Sequence, residues 1–244
     1  MQMEPAITIG LLECDHVRPE LRHIGGDYRE MFPALFNKVS PRILFRFYDI
    51  INGVFPGNAA ECDGYLCTGS SFSVYDDVDW IHGLADFVRL LHLQDIPYAG
   101  VCFGHQMLGY ALGGKVRKAA AGWCVGVHEL TMLSRESWME PYQDKLGLLM
   151  MCQDQVTDLP ESAVRLASAA DCPNAMMMVG RSMLGIQAHP EFPPSYDRAL
   201  MELRKERIGE EKVTRGIESL GLRTDEVTAA RWIVNFFSNL QKRN

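Results

Sequence analysis

Residues 98–106 read Tyr98-Ala99-Gly100-Val101-Cys102-Phe103-Gly104-His105-Gln106. An apolar run, Pro97 to Val101, enters Gly-x-Cys-x-Gly. A segment with helical spacing, His105 to Leu112, leaves it and stops at Gly113-Gly114. Strand, sharp turn and helix in that order is the form in which a nucleophile is displayed at the C-terminal end of a strand. The two glycines suit a bend too tight for flanking side chains. The partial positive charge of a helix N-terminus would favour an anionic sulfur at Cys102. The Phe103 N–H would point at the site as an oxyanion donor. Taken alone, the five-residue pattern also fits a buried cysteine at an ordinary strand-to-helix turn.

Outward from this turn the chain alternates short apolar runs with helical patterns, which predicts an α/β fold on a parallel sheet. Toward the N-terminus, Ala6–Leu12, Arg42–Ile50 and Gly64–Thr68 read as strands. Tyr28–Phe36 and Asp79–Gln94 read as helices, the second capped by Asp79. Toward the C-terminus, five short strand candidates lie at 125–133, 146–152, 164–169, 175–179 and 183–188, predicting a small antiparallel extension. From about 195 to 241 the pattern is helical. Its last helix bears an apolar stripe of Trp232, Ile233, Phe236, Phe237 and Leu240. The charged stretch Glu202–Lys212 reads most simply as a solvated helix surface, and also suits a lid or dimer contact. The expectation is one domain over 1–244, with a core at about 6–192.

A second segment decides between the two readings of Cys102. It runs Gly185-Ile186-Gln187-Ala188-His189-Pro190-Glu191. In extended chain, residues two apart point to the same side, so Glu191 can reach the His189 ring and fix its tautomer. His189 would then serve Cys102 as base and the leaving amine as acid.

GVCFGHQ and GIQAHPEF together resemble the class I glutamine amidotransferase family, over roughly Ile7 to Phe192. The resemblance implies a flavodoxin-like α/β domain and a Cys102–His189–Glu191 triad. It implies cleavage of the γ-amide of glutamine, or of another γ-glutamyl amide or peptide, through a cysteine thioester. It places Gly69, in Thr68-Gly69-Ser70, beside Phe103 in the oxyanion hole. It gives Gln106, Ser70, Gln153 and Asp154 to substrate binding. Where the family usually has a histidine, in its His-x-Asp-x-Val segment, this chain has Cys152, which points away from free glutamine. Thr68–Asp77 and Asp79-Trp80-Ile81 are similar to stand-alone GMP synthase-like members, some of whose relatives are γ-glutamyl peptidases. Tyr75, Asp76 and Asp77 equally suit a plain approach to the Asp79 helix.

Composition narrows the alternatives. With 24 Lys and Arg against 31 Asp and Glu, the net charge is -7, so no electrostatic footprint for nucleic acid is expected. No apolar run approaches the ~20 residues of a membrane span. Met1-Gln2-Met3-Glu4-Pro5 lacks a signal-peptide pattern, and seven irregularly spaced cysteines suggest a reducing, cytoplasmic setting. No metal or organic cofactor is expected, because thiol acyl transfer supplies its own nucleophile. The chain lacks a Gly-x-x-x-x-Gly-Lys-[Ser/Thr] phosphate loop, so a synthetase would be a separate protein. Three functions stand: a hydrolase of γ-glutamyl amides or peptides acting alone, a glutaminase subunit feeding ammonia to a separate synthetase, and a non-catalytic regulatory or binding protein on the same fold. The sequence favours none of the oligomeric states.

Overall fold

The computed structural model describes residues 6–241. The N-terminal half alternates strands and helices: β1 (Ile7–Glu13), α1 (Arg22–Gly25), α2 (Tyr28–Asn37), β2 (Ile43–Asp49), β3 (Gly64–Cys67), α3 (Asp79–Leu93), β4 (Tyr98–Val101) and α4 (Phe103–Ala111). A run of strands follows: β5 (Lys115–Lys118), β6 (Cys124–Met132), β7 (Lys145–Cys152), β8 (Asp154–Asp158), β9 (Ala163–Ala169), β10 (Cys172–Val179) and β11 (Met183–Ile186). The chain closes with α5 (Pro194–Leu203), α6 (Lys205–Ile208), α7 (Glu210–Ser219) and α8 (Glu226–Gln241).

Among the described residues nine strands form one sheet, in the order β2-β1-β3-β4-β11-β10-β9-β6-β7. The pairs from β2 through β11 are parallel, and those from β11 onward are antiparallel. The expected α/β sheet with an antiparallel extension is therefore present. Buried side chains on the parallel strands alternate between two apolar clusters: Leu11, Leu66 and Leu184 fall in one, Leu12, Tyr65 and Met183 in the other. The first cluster collects α2, α5, α7 and α8, and the second collects α3 and α4, so both faces of the sheet are covered. The α8 stripe delivers Trp232, Ile233, Phe236 and Phe237, each at most 1% exposed. Burying one such side chain is worth roughly 1.5–3 kcal/mol.

Helix ends follow local chemistry, with two departures from expectation. At α2, Asp27 and Glu30 form a capping box, Asp27 Oδ1 accepting from the Tyr28 N–H and Glu30 Oε2 from the Asp27 N–H. Asp79 does not cap α3: Val78 holds the N-cap position, and Asp79, one residue inside, places a carboxylate in the first turn. Helix α4 begins at Phe103 rather than His105, because the bend is confined to Cys102 alone (φ 52°, ψ -101°).

A two-stranded antiparallel sheet, β5 with β8, was not foreseen. It has one buried valine on each strand, Val116 opposite Val156. Its register brings Lys118 opposite Asp154, at the edge of the cavity described next. Gly126 on β6 takes φ +80°, and a Cβ there would lie 2.6 Å from Gly216 O on α7. Contact between α7 and β6 at this point is therefore backbone against backbone.

Candidate active site

β4 and β11 lie side by side and parallel, with Gly100 opposite Gly185 and Val101 opposite Ile186. Both run out at the same end of the sheet. The Cys102 N–H donates to Ile186 O at 2.9 Å, so the turn after one strand is bonded to the end of the other. The positive φ of Cys102 is sterically disfavoured for a residue with a Cβ. The glycines around it explain how the neighbours close up. A Cβ on Gly100 would lie 2.3 Å from the Gly104 carbonyl group, and one on Gly104 would lie 2.6 Å from Cys67 O. Neither position has room for a side chain. As the first residue of α4, Phe103 keeps an N–H with no intrahelical acceptor, whereas the Gly104 N–H is taken by Thr68 O.

Beyond β11 the chain does not run on as the expected extended segment: it bends at Gln187 and Ala188, and again at Pro190 and Glu191, with His189 held between the two bends. The His189 N–H donates to Leu149 O on β7 at 2.8 Å, an isolated antiparallel bridge. Thus β7, at the far end of the pairing order, returns to hold this residue. His189 Nδ1 lies 2.7 Å from Glu191 Oε1, with both side chains at most 3% exposed. Phe192 stacks on the imidazole, with centroids 4.0 Å apart and planes at 8°. Burial disfavours a charged ring, but the Glu191 carboxylate and the Cys102 sulfur outweigh it and raise His189 to about 10. A Cβ on Gly69 would lie 2.8 Å from His189 Cε1 and 3.7 Å from Cys102 Cβ. Gly69, Cys102 and His189 therefore surround one small space.

Cys102 is 6% exposed, but it lines two cavities that meet at its side chain. The smaller, ≈ 120 Å³, is walled by Gln106, Lys118, Trp123, Cys152, Gln153 and Asp154. The larger, ≈ 330 Å³, lies on the His189 side against Tyr28, Phe192, Tyr196 and Leu200, with Asp15 and Arg18 also on its wall. Ser70, Ser71, Met151, Arg204 and Arg207 line both. The loop after β3 is pinned from behind: Asp15 Oδ2 accepts from the Ser71 N–H at 2.7 Å.

Of the residues singled out in the sequence, Cys102, His189, Ser70, Gln106, Gln153 and Asp154 line these cavities, Glu191 stands behind His189, and Asp77 lies elsewhere, beside His82. Gln106 is buried, its Nε2 donating to Asp154 O at 2.7 Å and Gln187 Oε1 at 3.2 Å. It braces α4 against β8. The Asp154 carboxylate accepts from Ser73 Oγ at 2.5 Å and Tyr75 OH at 3.1 Å, so Tyr75 does more than lead into α3. Contact with the Cys124 thiol, together with burial, holds Cys152 well above the usual thiol range, so it stays an uncharged thiol. His105, pushed down to about 4 by burial, is a neutral ring packed behind the bend at Gly185.

Lys118, Trp123, Arg204 and Arg207 were not anticipated as cavity residues. Only the two arginines had a trace in the sequence, in the charged stretch 202–212. Among the described residues no group of three His, Cys, Asp or Glu side chains is placed to hold a metal ion. No described helix is long and apolar enough to cross a membrane.

Known proteins resemble this chain in sequence and in shape. The sequence profile described as "Glutamine amidotransferase class-I" matches residues 51–204. Gamma-glutamyl peptidase 3 of Arabidopsis thaliana is 30% identical over 175 residues, covering 68% of this chain and 70% of that protein. Gamma-glutamyl peptidase 5 of the same plant is 32% identical, covering 68% of each. A glutamine-hydrolyzing GMP synthase of Streptococcus pneumoniae is 34% identical over 130 residues, which span 52% of this chain but 24% of that enzyme. In three dimensions, the crystal structure of a glutamine amidotransferase from Thermotoga maritima superposes with a TM-score of 0.75. That match covers 99% of this chain and 100% of that one, at 18% identity.

Proposed function

The chain belongs to the class-I glutamine amidotransferase family, and on that premise we propose that it is a hydrolase of γ-glutamyl amides or peptides, with Cys102 as nucleophile, His189 as acid and base, and Glu191 as the residue that orients and charges His189. The observation that carries this reading is the 2.7 Å His189–Glu191 pair set beside a cysteine at positive φ. A histidine raised to about 10 is protonated at neutral pH, and so is suited to stand as a cation beside the sulfur and to give its proton to the departing amine.

In the proposed reaction the Cys102 sulfur attacks the γ-carbonyl carbon and a carbon–sulfur bond forms. The carbonyl oxygen takes up the negative charge, met by the N–H groups of Gly69 and Phe103. The carbon–nitrogen bond then breaks, and the His189 proton passes to the departing amine. Water, deprotonated by His189, attacks the thioester; the carbon–sulfur bond breaks, releasing glutamate and restoring the pair. Asp154, held by Ser73 and Tyr75, suits the α-ammonium of the glutamyl group. Lys118 beside it suits the α-carboxylate. Ser70 and Gln153 complete that end, while Gln106 supports it from below.

The test is release of glutamate from a panel of γ-glutamyl peptides and amides, beside ammonia release from glutamine, by the purified protein. Turnover of the peptides is expected. In Cys102→Ser that turnover falls by on the order of 10³-fold or more; full activity in this variant would remove the proposed nucleophile. The stretch shared with GMP synthase favours a second reading, in which the chain supplies ammonia to a separate synthetase. It would then be nearly silent alone and active once a partner docks. The size of the His189-side cavity favours the first reading. A single water needs roughly 10–15 Å³ of such space, so ≈ 330 Å³ is far more than departing ammonia requires.

A further inference from the structure

The larger cavity has a charge pattern that a neutral leaving group would not use. Arg204 follows the last residue of α5 and Arg207 lies on α6, and both residues line both cavities. Among the described residues neither donates a side-chain hydrogen bond or pairs with a carboxylate. Arg207 is steadied instead by lying over the Trp123 ring, 5.6 Å from its centroid. Trp123 is itself anchored, since its carbonyl accepts from Lys212 Nζ at 3.0 Å. Like charges three residues apart on helical chain repel one another. Two such cations, Arg204 half-buried and Arg207 exposed, left without carboxylate partners on the wall of a concave site, suit an anion.

Geometry decides which anion. Asp15, the carboxylate on this wall, is already used by the N–H groups of His16 and Ser71. The glutamyl end has its own pair of charges, Asp154 and Lys118, in the smaller cavity, which His189 does not line. The proton for the departing nitrogen comes from His189, so that nitrogen and whatever it bears must lie on the His189 side, where Arg204 and Arg207 also stand. We infer that Arg204 and Arg207 bind a carboxylate carried by the leaving amine, so that the preferred substrates are γ-glutamyl amino acids or peptides with a free carboxylate rather than glutamine or neutral γ-glutamyl amides. This inference rests on the hydrolase reading and names its substrate class.

The test compares γ-glutamyl-phenylalanine with γ-glutamyl-phenylalaninamide, which differ only in the leaving-side charge. The acid is expected to be cleaved with a kcat/KM roughly tenfold or more above the amide, the scale of a charge-assisted hydrogen bond. In the double variant Arg204→Gln, Arg207→Gln the acid-to-amide ratio falls toward one. A wild-type ratio near one overturns the inference. So does a ratio that survives in the variant, including equal losses on both compounds, which would assign the arginines to the glutamyl end. If neither compound is cleaved, the hydrolase reading fails by itself. Calorimetric binding of the same two compounds to Cys102→Ala, with and without the arginine substitutions, then decides: tighter binding of the acid that disappears with the arginines supports the inference, and equal or absent binding overturns it.

Discussion

At the scale of single residues, the site turns on how Glu191 charges His189. Burial alone would hold the ring neutral, as it does at His105, which sits at about 4. What separates the two histidines is a carboxylate at 2.7 Å, joined by the Cys102 sulfur. Removing that charge in Glu191→Gln keeps a hydrogen-bonding side chain of the same size but leaves the sulfur alone to oppose burial, so the His189 value should fall. We expect kcat/KM to drop by on the order of 10²–10⁴, and the alkaline limb of its pH profile to move to lower pH. An unmoved alkaline limb would separate Glu191 from the charge on His189. For stability the sign is that of a raised base: the contribution of His189 is complete below pH 6.5 and is lost as pH rises toward about 10. These residues were legible because His189 and Glu191 are two apart in sequence, although the chain brings them together across a bend at Pro190 and not along an extended strand. The role of Gln106 was less legible, since nothing local shows that its amide is spent on Asp154 O and Gln187.

At the scale of elements, the bend between β4 and α4 depends on contact too close for any side chain. Gly104→Ala would drive a Cβ to 2.6 Å from Cys67 O and 2.9 Å from Cys67 Cβ, so α4 must lift from β3. We expect a loss of roughly 1–3 kcal/mol in denaturant unfolding, and a larger loss of activity than that destabilisation explains, because Phe103 and Cys102 move with the helix start. Activity intact at a folded temperature would show that the bend tolerates the shift. Strands with continuous apolar runs, such as β1, β3 and β4, could be read from sequence. β5 and β8 could not: each has four or five residues, largely polar, and pairing is settled by a distant partner strand rather than by its own pattern. For the same reason Lys118 went unnoticed. The start of α3 misled in a different way, since an aspartate near a helix N-terminus favours that end whether it caps the helix or sits one position inside.

At the scale of the whole molecule, α5 to α8 complete the layer over one face of the sheet and bury an acid there. Asp197 on α5 is fully buried, and neither carboxyl oxygen has a hydrogen-bond partner among the described residues. Burial pushes it up to about 7, against the nearby charge of His189, which pulls it down. An acid raised in the folded state binds its proton more tightly there than when unfolded, so stability falls as pH climbs from about 4 to about 7. Asp197→Asn removes that slope. Its stability advantage over the parent should grow across this window, by on the order of a few kcal/mol at the upper end, read as a widening Tm difference; parallel curves would mean that the acid is paired in solution. The alternation of strands and helices, the antiparallel extension and the apolar face of α8 were all visible in periodicity. The placement of Arg204 and Arg207 was not, because their stretch is mostly charged with only Leu203 and Ile208 apolar, and only the docking of α5 and α6 turns part of it toward Cys102.

One property of the centre follows from the bond between Cys102 N and Ile186 O. The sulfur sits just past the end of β4, and the imidazole follows the end of β11 and is tied to β7, so their separation is inherited from framework strands and not from the posture of a mobile arm. Such a couple cannot be opened like a jaw to admit cargo. Any adaptation to different substrates must come from the walls, the serine-rich loop on one side and the arginine-bearing corner on the other, while the reacting atoms keep a fixed gauge.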